Sequence, residues 1–270
     1  MSEAAQLRVG RIFYTNVAPV ETAFDRGALA RPATVTTGAP ATLNALLSSG
    51  ELDAGPVSAA HYLANADQLA LLGDCGIVAR AAAISVVLVS RRPPALLEDA
   101  SIAVTRESAS GRALLEALLR GRDGVRARYE AVDDPGAAAL AGRPTLLIGD
   151  EAIAARDQAA VSDVYDLGTA WADWTGLPMV FAVWAVRRDV MAQRPDDVAA
   201  LAEAYARARA WGDVHRAEVI DAAMQLRPRD RRFYERYFST LTYTIDESAR
   251  AGLARFADEI DAPEVSRVAG

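Results

Sequence analysis

One cysteine and two histidines are the whole supply of thiol and imidazole chemistry in this 270-residue chain. A lone Cys75 excludes an internal disulfide, and His61 and His215 are scattered without metal-ligand spacing, so metal catalysis is not expected. Long apolar runs are missing as well. The most apolar windows, near residues 79–89 and 179–186, are far too short to span a membrane. The opening MSEAAQLRVGRIFYTN lacks the basic start, apolar centre and small-residue cleavage site of a secretory signal, so the chain is expected in the cytoplasm. Excess positive charge is absent too: the formal net charge of -7 argues against general nucleic-acid binding, though it leaves room for a local basic pocket that takes an anionic ligand. No internal repeat or low-complexity segment stands out beyond alanine richness.

What remains is a chain with the composition of a globular protein, 51% apolar and 24% charged, long enough for two lobes of ordinary domain size. Strand and helix patterns alternate from the start. LRVGRIFY reads as a strand, VETAFDRG as part of a helix and ATVTTG as a second strand; PATLNALLSSG has Pro40 near a helix start and Gly50 at its end. LDAGPVS, AAHYLANAD and ISVVLVS continue as strand, helix and buried strand. After a proline-marked connection, RRPPALLEDA, a second unit runs through SIAVTR, GRALLEALLRG, RARYEAV, an Ala-rich helix at 136–141 and TLLIGD. From Pro195 the pattern is helical. This is an α/β chain with helices covering its sheets. The expected division is one lobe from residues 1–91 plus 188–270 and a second from 92–187.

Residues 165–187, YDLGTAWADWTGLPMVFAVWAVR, carry the most information. Trp171 and Trp174 are three apart, on one side of a helical turn, and Gly176 with Pro178 then breaks that helix. The run from Met179 to Val186 reads as a strand covered on both faces of a mostly parallel sheet. Together with LLIGDEAI (146–153), VGRIFYTNVAPV (9–20), GELDAGPVSAAHY (50–62) and SVVLVS (85–90), this stretch resembles the chorismate dehydratase family of the futalosine route to menaquinone. The motifs occur in the family's order and span most of the chain. The resemblance implies a two-lobed, type II periplasmic-binding-protein-like fold with a ligand cleft between lobes, and a hydro-lyase that needs no cofactor.

The implied substrate, chorismate, carries two carboxylates, a hydroxyl and an enolpyruvyl ether on a cyclohexadiene ring. Helix N-termini offer free N–H groups and a favourable field to such an anion. Candidate binding residues are therefore Thr36, Thr37 and Gly38 before one helix, Ser58 at the mouth of the cleft, Ser108 and Ser110 at a second helix start, and Gly149 and Asp150 in IGDEA. The family's Ser-x-Thr-Ser pattern is Ser108-Ala109-Ser110-Gly111 here, which leaves open the hydroxyl that reaches the ligand. Asn16 and Ser85 match a conspicuous Asn and Ser of the family and are the implied catalytic residues. Asp53 is expected to be structural, and Arg187 and Arg188 to be solvated. No general base is evident, so the enolpyruvyl carboxylate of the substrate is expected to remove the proton itself. The sister family of 1,4-dihydroxy-6-naphthoate synthases and a solute-binding receptor or sensor are the competing readings. Oligomeric state is not legible.

Overall fold

The computed structural model describes residues 6–156 and 164–260. The chain begins with β1 (Leu7–Ile12), a short 3-10 turn (Thr15–Val17), α1 (Ala18–Asp25), β2 (Ala33–Gly38), α2 (Pro40–Ser49), β3 (Ala54–Ser58), α3 (Ala59–Ala64) and the long β4 (Leu69–Ala79). It continues as β5 (Val86–Val89), β6 (Ser101–Val104), α4 (Ala109–Ala117), β7 (Arg128–Ala131), α5 (Pro135–Leu140), β8 (Thr145–Ile148), α6 (Gly149–Arg156), β9 (Val164–Asp166) and α7 (Leu167–Thr175). Then follow β10 (Met179–Arg187), α8 (Arg188–Gln193), α9 (Pro195–Val214), α10 (Arg216–Leu226), α11 (Arg231–Thr240), β11 (Leu241–Thr244) and α12 (Glu247–Glu259).

Two sheets result. The first has six strands in the order β11-β4-β10-β3-β1-β2, and the second has five in the order β7-β6-β8-β5-β9. β1 runs parallel to β2 and β3, and β6 runs parallel to β7 and β8, so each lobe holds a βαβ core with strand ends that open onto helix starts. Ligands in open α/β sheets bind at such ends.

The strand memberships correct the expected lobe boundaries. β5 belongs to the second sheet and β10 to the first, so the chain changes sheets between β4 and β5 (80–85) and between β9 and β10 (167–178), and not after Arg91 and Arg187. β10 is also antiparallel to both of its neighbours, β3 and β4, where a mostly parallel setting was expected. Its burial is as read from the sequence. Val183, Trp184, Ala185 and Val186 are all fully buried, because α9 and α12 cover this sheet. A run of apolar residues specifies burial on both faces and says nothing of strand direction.

The turn after α7 forms as the sequence implies. Gly176 ends the helix at φ +70°, a left-handed conformation that costs glycine little. Trp171 is fully buried and donates its indole N–H to the Pro178 carbonyl at 3.2 Å, while Trp174 meets it edge to face at 5.9 Å. Among the described residues no helix is long and apolar enough to cross a membrane.

Candidate active site

The first crossing between the sheets is a strained turn. Ile84 has φ +65°, a region that β-branched residues avoid at a cost of about 1–3 kcal/mol. The surroundings hold it there. Asp166, the N-cap of α7, accepts the N–H groups of Ala83 at 2.9 Å and Ile84 at 2.8 Å, and Arg156 donates to the Ile84 carbonyl at 2.8 Å while pairing with Asp166. The residue so placed is Ser85, which is 5% exposed. It precedes β5 and is not inside the strand. Its Oγ accepts from the Tyr237 hydroxyl at 2.9 Å, and its carbonyl accepts the Gly149 N–H at 2.7 Å.

Gly149 opens α6 at φ +56°, a left-handed backbone conformation that favours glycine, and a Cβ there would make ordinary contact with the Tyr14 ring at 3.8 Å. Asp150, next along, is gripped from both sides: Thr15 Oγ1 donates to one oxygen at 2.9 Å and Arg227 Nε to the other at 2.9 Å. Thr15 begins the turn that carries Asn16. The Asn16 carbonyl accepts from the Tyr243 hydroxyl at 2.8 Å, while its side-chain Oδ1 is buried with no hydrogen-bond partner among the described residues. A chain of hydrogen bonds thus ties the Asn16 turn, the Ser85 crossing and the start of α6 into one unit. Asn16, Ser85, Gly149 and Asp150 are brought together.

The Tyr14 ring lies over this unit. Burial first, then the nearby Glu107, Glu151 and Asp150, pushes its phenol up to about 12. Burial and, next, Asp134 raise the Glu151 carboxyl. Glu107 lies in the loop before α4, and its Oε2 is also buried without a partner among the described residues. An orphaned buried polar atom costs roughly 1–3 kcal/mol, a cost that a bound ligand removes.

The helix starts behave differently from one another. Ser58 caps α3 by accepting the His61 N–H at 3.2 Å, and Ser108 caps α4 by accepting the Gly111 N–H at 3.0 Å. Ser110 is buried and reaches across to accept the Ala60 N–H of α3 at 3.1 Å. Thr36 and Thr37 are exposed on the edge strand β2, beside Gly10 and Arg11, with Gly38 beside Ile12. The residue that caps α2 is Ala39, which offers no side-chain bond, so neither threonine serves this helix start.

Asp53 is 6% exposed and takes three hydrogen bonds from the Arg8 backbone and guanidinium, in keeping with a structural role. Arg187 pairs with Asp189 and Arg188 donates to the Ala66 carbonyl, so each has a protein partner. Among the described residues no group of three or more His, Cys, Asp or Glu side chains is arranged to hold a metal ion. Tyr14, Thr15, Glu107, Tyr237 and Tyr243 were not singled out from the sequence. The only signal for the last two is the aromatic density of RRFYERYFSTLTYT, which equally describes a core-packing helix and strand.

Two α/β lobes, each with a mixed sheet built on a parallel βαβ core, and a polar site at the crossing between them define the periplasmic-binding-protein-like class. A protein of known structure from Archaeoglobus fulgidus superposes with a TM-score of 0.78 at 22% identity, covering 96% of this chain and 98% of that one. The alkanesulfonate-binding protein of Xanthomonas axonopodis pv. citri, bound to MOPS, gives 0.65 at 18% identity, covering 98% and 96%. These likenesses establish the fold. The sequence pattern of the menaquinone-biosynthesis family matches residues 7–262, and the chorismate dehydratase of Thermus thermophilus is 34% identical over 239 residues, 83% of this chain and 85% of that protein. The chain belongs to this family.

Proposed function

We propose that the chain is a chorismate dehydratase, a carbon-oxygen lyase that converts chorismate to 3-[(1-carboxyvinyl)oxy]benzoate and water on the way to menaquinone, in the cytoplasm. Its family membership and its 34% identity to a chorismate dehydratase support the reaction. The structural observation that carries the reading is the buried, unpartnered Oδ1 of Asn16. Chorismate as a dianion has one hydrogen-bond donor, its ring hydroxyl. Asn16 Oδ1 accepts from that hydroxyl and so orients the group that must leave.

The enolpyruvyl carboxylate removes the proton from the ether-bearing ring carbon. The electron pair spreads through the adjacent alkene into the ring carboxylate, where donors in the cleft stabilise the charge that develops. The C–O bond to the ring hydroxyl then breaks as the ring becomes aromatic. The departing hydroxide takes the proton held by the enolpyruvyl carboxyl and leaves as water, so no redox step enters. Ser85 donates to the departing oxygen. Gly149 and Asp150 keep the two lobes in register around these groups.

The test is to incubate the purified protein with chorismate in the presence of EDTA and follow substrate loss together with formation of the enolpyruvyl benzoate. Turnover is expected without added metal or nucleotide. No turnover of chorismate, with conversion of a cyclic futalosine derivative, would assign the chain to the sister activity.

A further inference from the structure

Among the described residues the Ser85 hydroxyl has one good hydrogen-bond partner, and that partner comes from 152 residues further along the chain. Tyr237 lies in α11, fully buried, its ring held between Phe233 at 5.8 Å and Phe238 at 5.5 Å. Burial raises its phenol well above the ordinary range, so the hydroxyl keeps its proton and serves as a donor. The acceptor is Ser85 Oγ at 2.9 Å. Among the described residues the serine's own proton has only the Ala83 carbonyl, at 3.4 Å, which is long against the roughly 2.7–2.8 Å of a good O–H···O bond. That proton has a weak hold inside the protein.

We propose that Tyr237 is a positioning residue for Ser85: by donating to Oγ it commits that oxygen as an acceptor and leaves the Ser85 proton free for the substrate. The backbone beneath Ser85 is already fixed by the strained Ile84 turn and its bonds to Asp166 and Arg156, so the hydroxyl rotor is the remaining freedom and Tyr237 sets it. Tyr243 performs the parallel task for the backbone of Asn16 from the neighbouring β11. The segment from α11 to β11 therefore holds both candidate catalytic residues through tyrosine hydroxyls. This role rests on the proposed dehydration, in which Ser85 donates to the departing oxygen.

A double-mutant cycle on the full chain tests it, with kcat and KM for chorismate measured in wild type, Tyr237→Phe, Ser85→Ala and the double variant. Tyr237→Phe should lower kcat about tenfold with KM within about twofold of wild type, and should cost nothing further in the Ser85→Ala background. Equal losses in both backgrounds, or a change confined to KM, would overturn the positioning role while leaving the dehydratase reading intact. Wild type without chorismate turnover would overturn that reading, and this role with it. If Tyr237→Phe fails to fold, difluorotyrosine placed at position 237 keeps the ring and hydroxyl but lowers the phenol pKa. It should add a loss of kcat at high pH in wild type and none in Ser85→Ala; an unchanged profile in both would also overturn the role.

Discussion

Ser110 Oγ, at the start of α4, accepts the backbone N–H of Ala60, at the start of α3, at 3.1 Å. The two helices follow strands of different sheets, so this bond joins the lobes at the cleft. It is the kind of contact that a closed state makes and an open state loses.

Ser110→Ala should therefore weaken ligand binding more than it slows chemistry. The loss of one hydrogen bond of about 1 kcal/mol predicts a roughly fivefold weaker affinity for the enolpyruvyl benzoate by calorimetric titration, with kcat nearly unchanged. Solution scattering should show a fall in radius of gyration when wild type binds ligand, and a smaller fall in the variant at the same ligand concentration. Equal affinity in both proteins would show that the bond does not hold the lobes together.

Asn16 and Ser85 are expected to act mainly in the transition state. Replacing either by Ala should lower the dehydration rate by about a hundredfold or more with the fold intact by circular dichroism. Near-wild-type turnover in both variants would move catalysis elsewhere in the cleft.

Glu107 offers a direct test of which group takes the proton. Its Oε2 is buried without a partner among the described residues and it acts on the nearby Tyr14 phenol, so it is the obvious protein candidate for a base. If the enolpyruvyl carboxylate is the base, Glu107→Gln keeps kcat within about threefold and lowers KM, because a negative charge near a dianion is removed. A loss of about a hundredfold or more in kcat would assign the base to Glu107 instead.

Much of this arrangement can be read from residues, and the part that cannot has a physical reason. α2 is legible because Pro40 and Gly50 punctuate it, and β10 because eight consecutive apolar or small residues need cover on both sides. β4 is not, since Gly73 and Asp74 split its two apolar runs; the structure keeps it whole with shifts of register against β10 and an ion pair from Asp74 to Arg209. Lobe boundaries fail for a related reason: a buried strand looks the same in either sheet. Asn16 and Ser85 were found by resemblance alone. The hydroxyls that set them come from 227 and 152 residues away, and a tyrosine in an amphipathic helix gives no sign of where its oxygen points.

The Arg8–Asp53 pair predicts an acid-sensitive first lobe. Burial alone would raise the Asp53 carboxyl, but hydrogen bonds from the Arg8 side chain and backbone outweigh it and hold the group below the ordinary carboxylate range. A depressed folded pKa gives stability that is present above the unfolded value and lost as pH falls through the folded one. Asp53→Asn should therefore be less stable than wild type at neutral pH, by about 2 kcal/mol in urea unfolding, and the gap should shrink as the pH is lowered below about 4. A gap that stays constant down to acid pH would remove the pair from the account of stability.

The second crossing makes the last prediction, at Gly252 of α12. A Cβ on this residue would collide with the carbonyl oxygen of Pro178, the same oxygen that accepts the Trp171 indole N–H, and Phe256 one turn further on packs edge to face against Trp171 at 5.9 Å. Two effects oppose each other in Gly252→Ala. Helix propensity favours alanine by about 1 kcal/mol, whereas forcing α12 off a backbone carbonyl costs about 1–3 kcal/mol and disturbs the Trp171 bond as well. The collision is with backbone and cannot be relieved by rotating a side chain, so the loss should win. Net destabilisation by about 1–2 kcal/mol in denaturant unfolding is expected, together with altered tryptophan fluorescence in the folded state. A variant more stable than wild type would mean that α12 does not approach the crossing this closely, and that the Thr175–Pro178 turn is not clamped between α7 and α12.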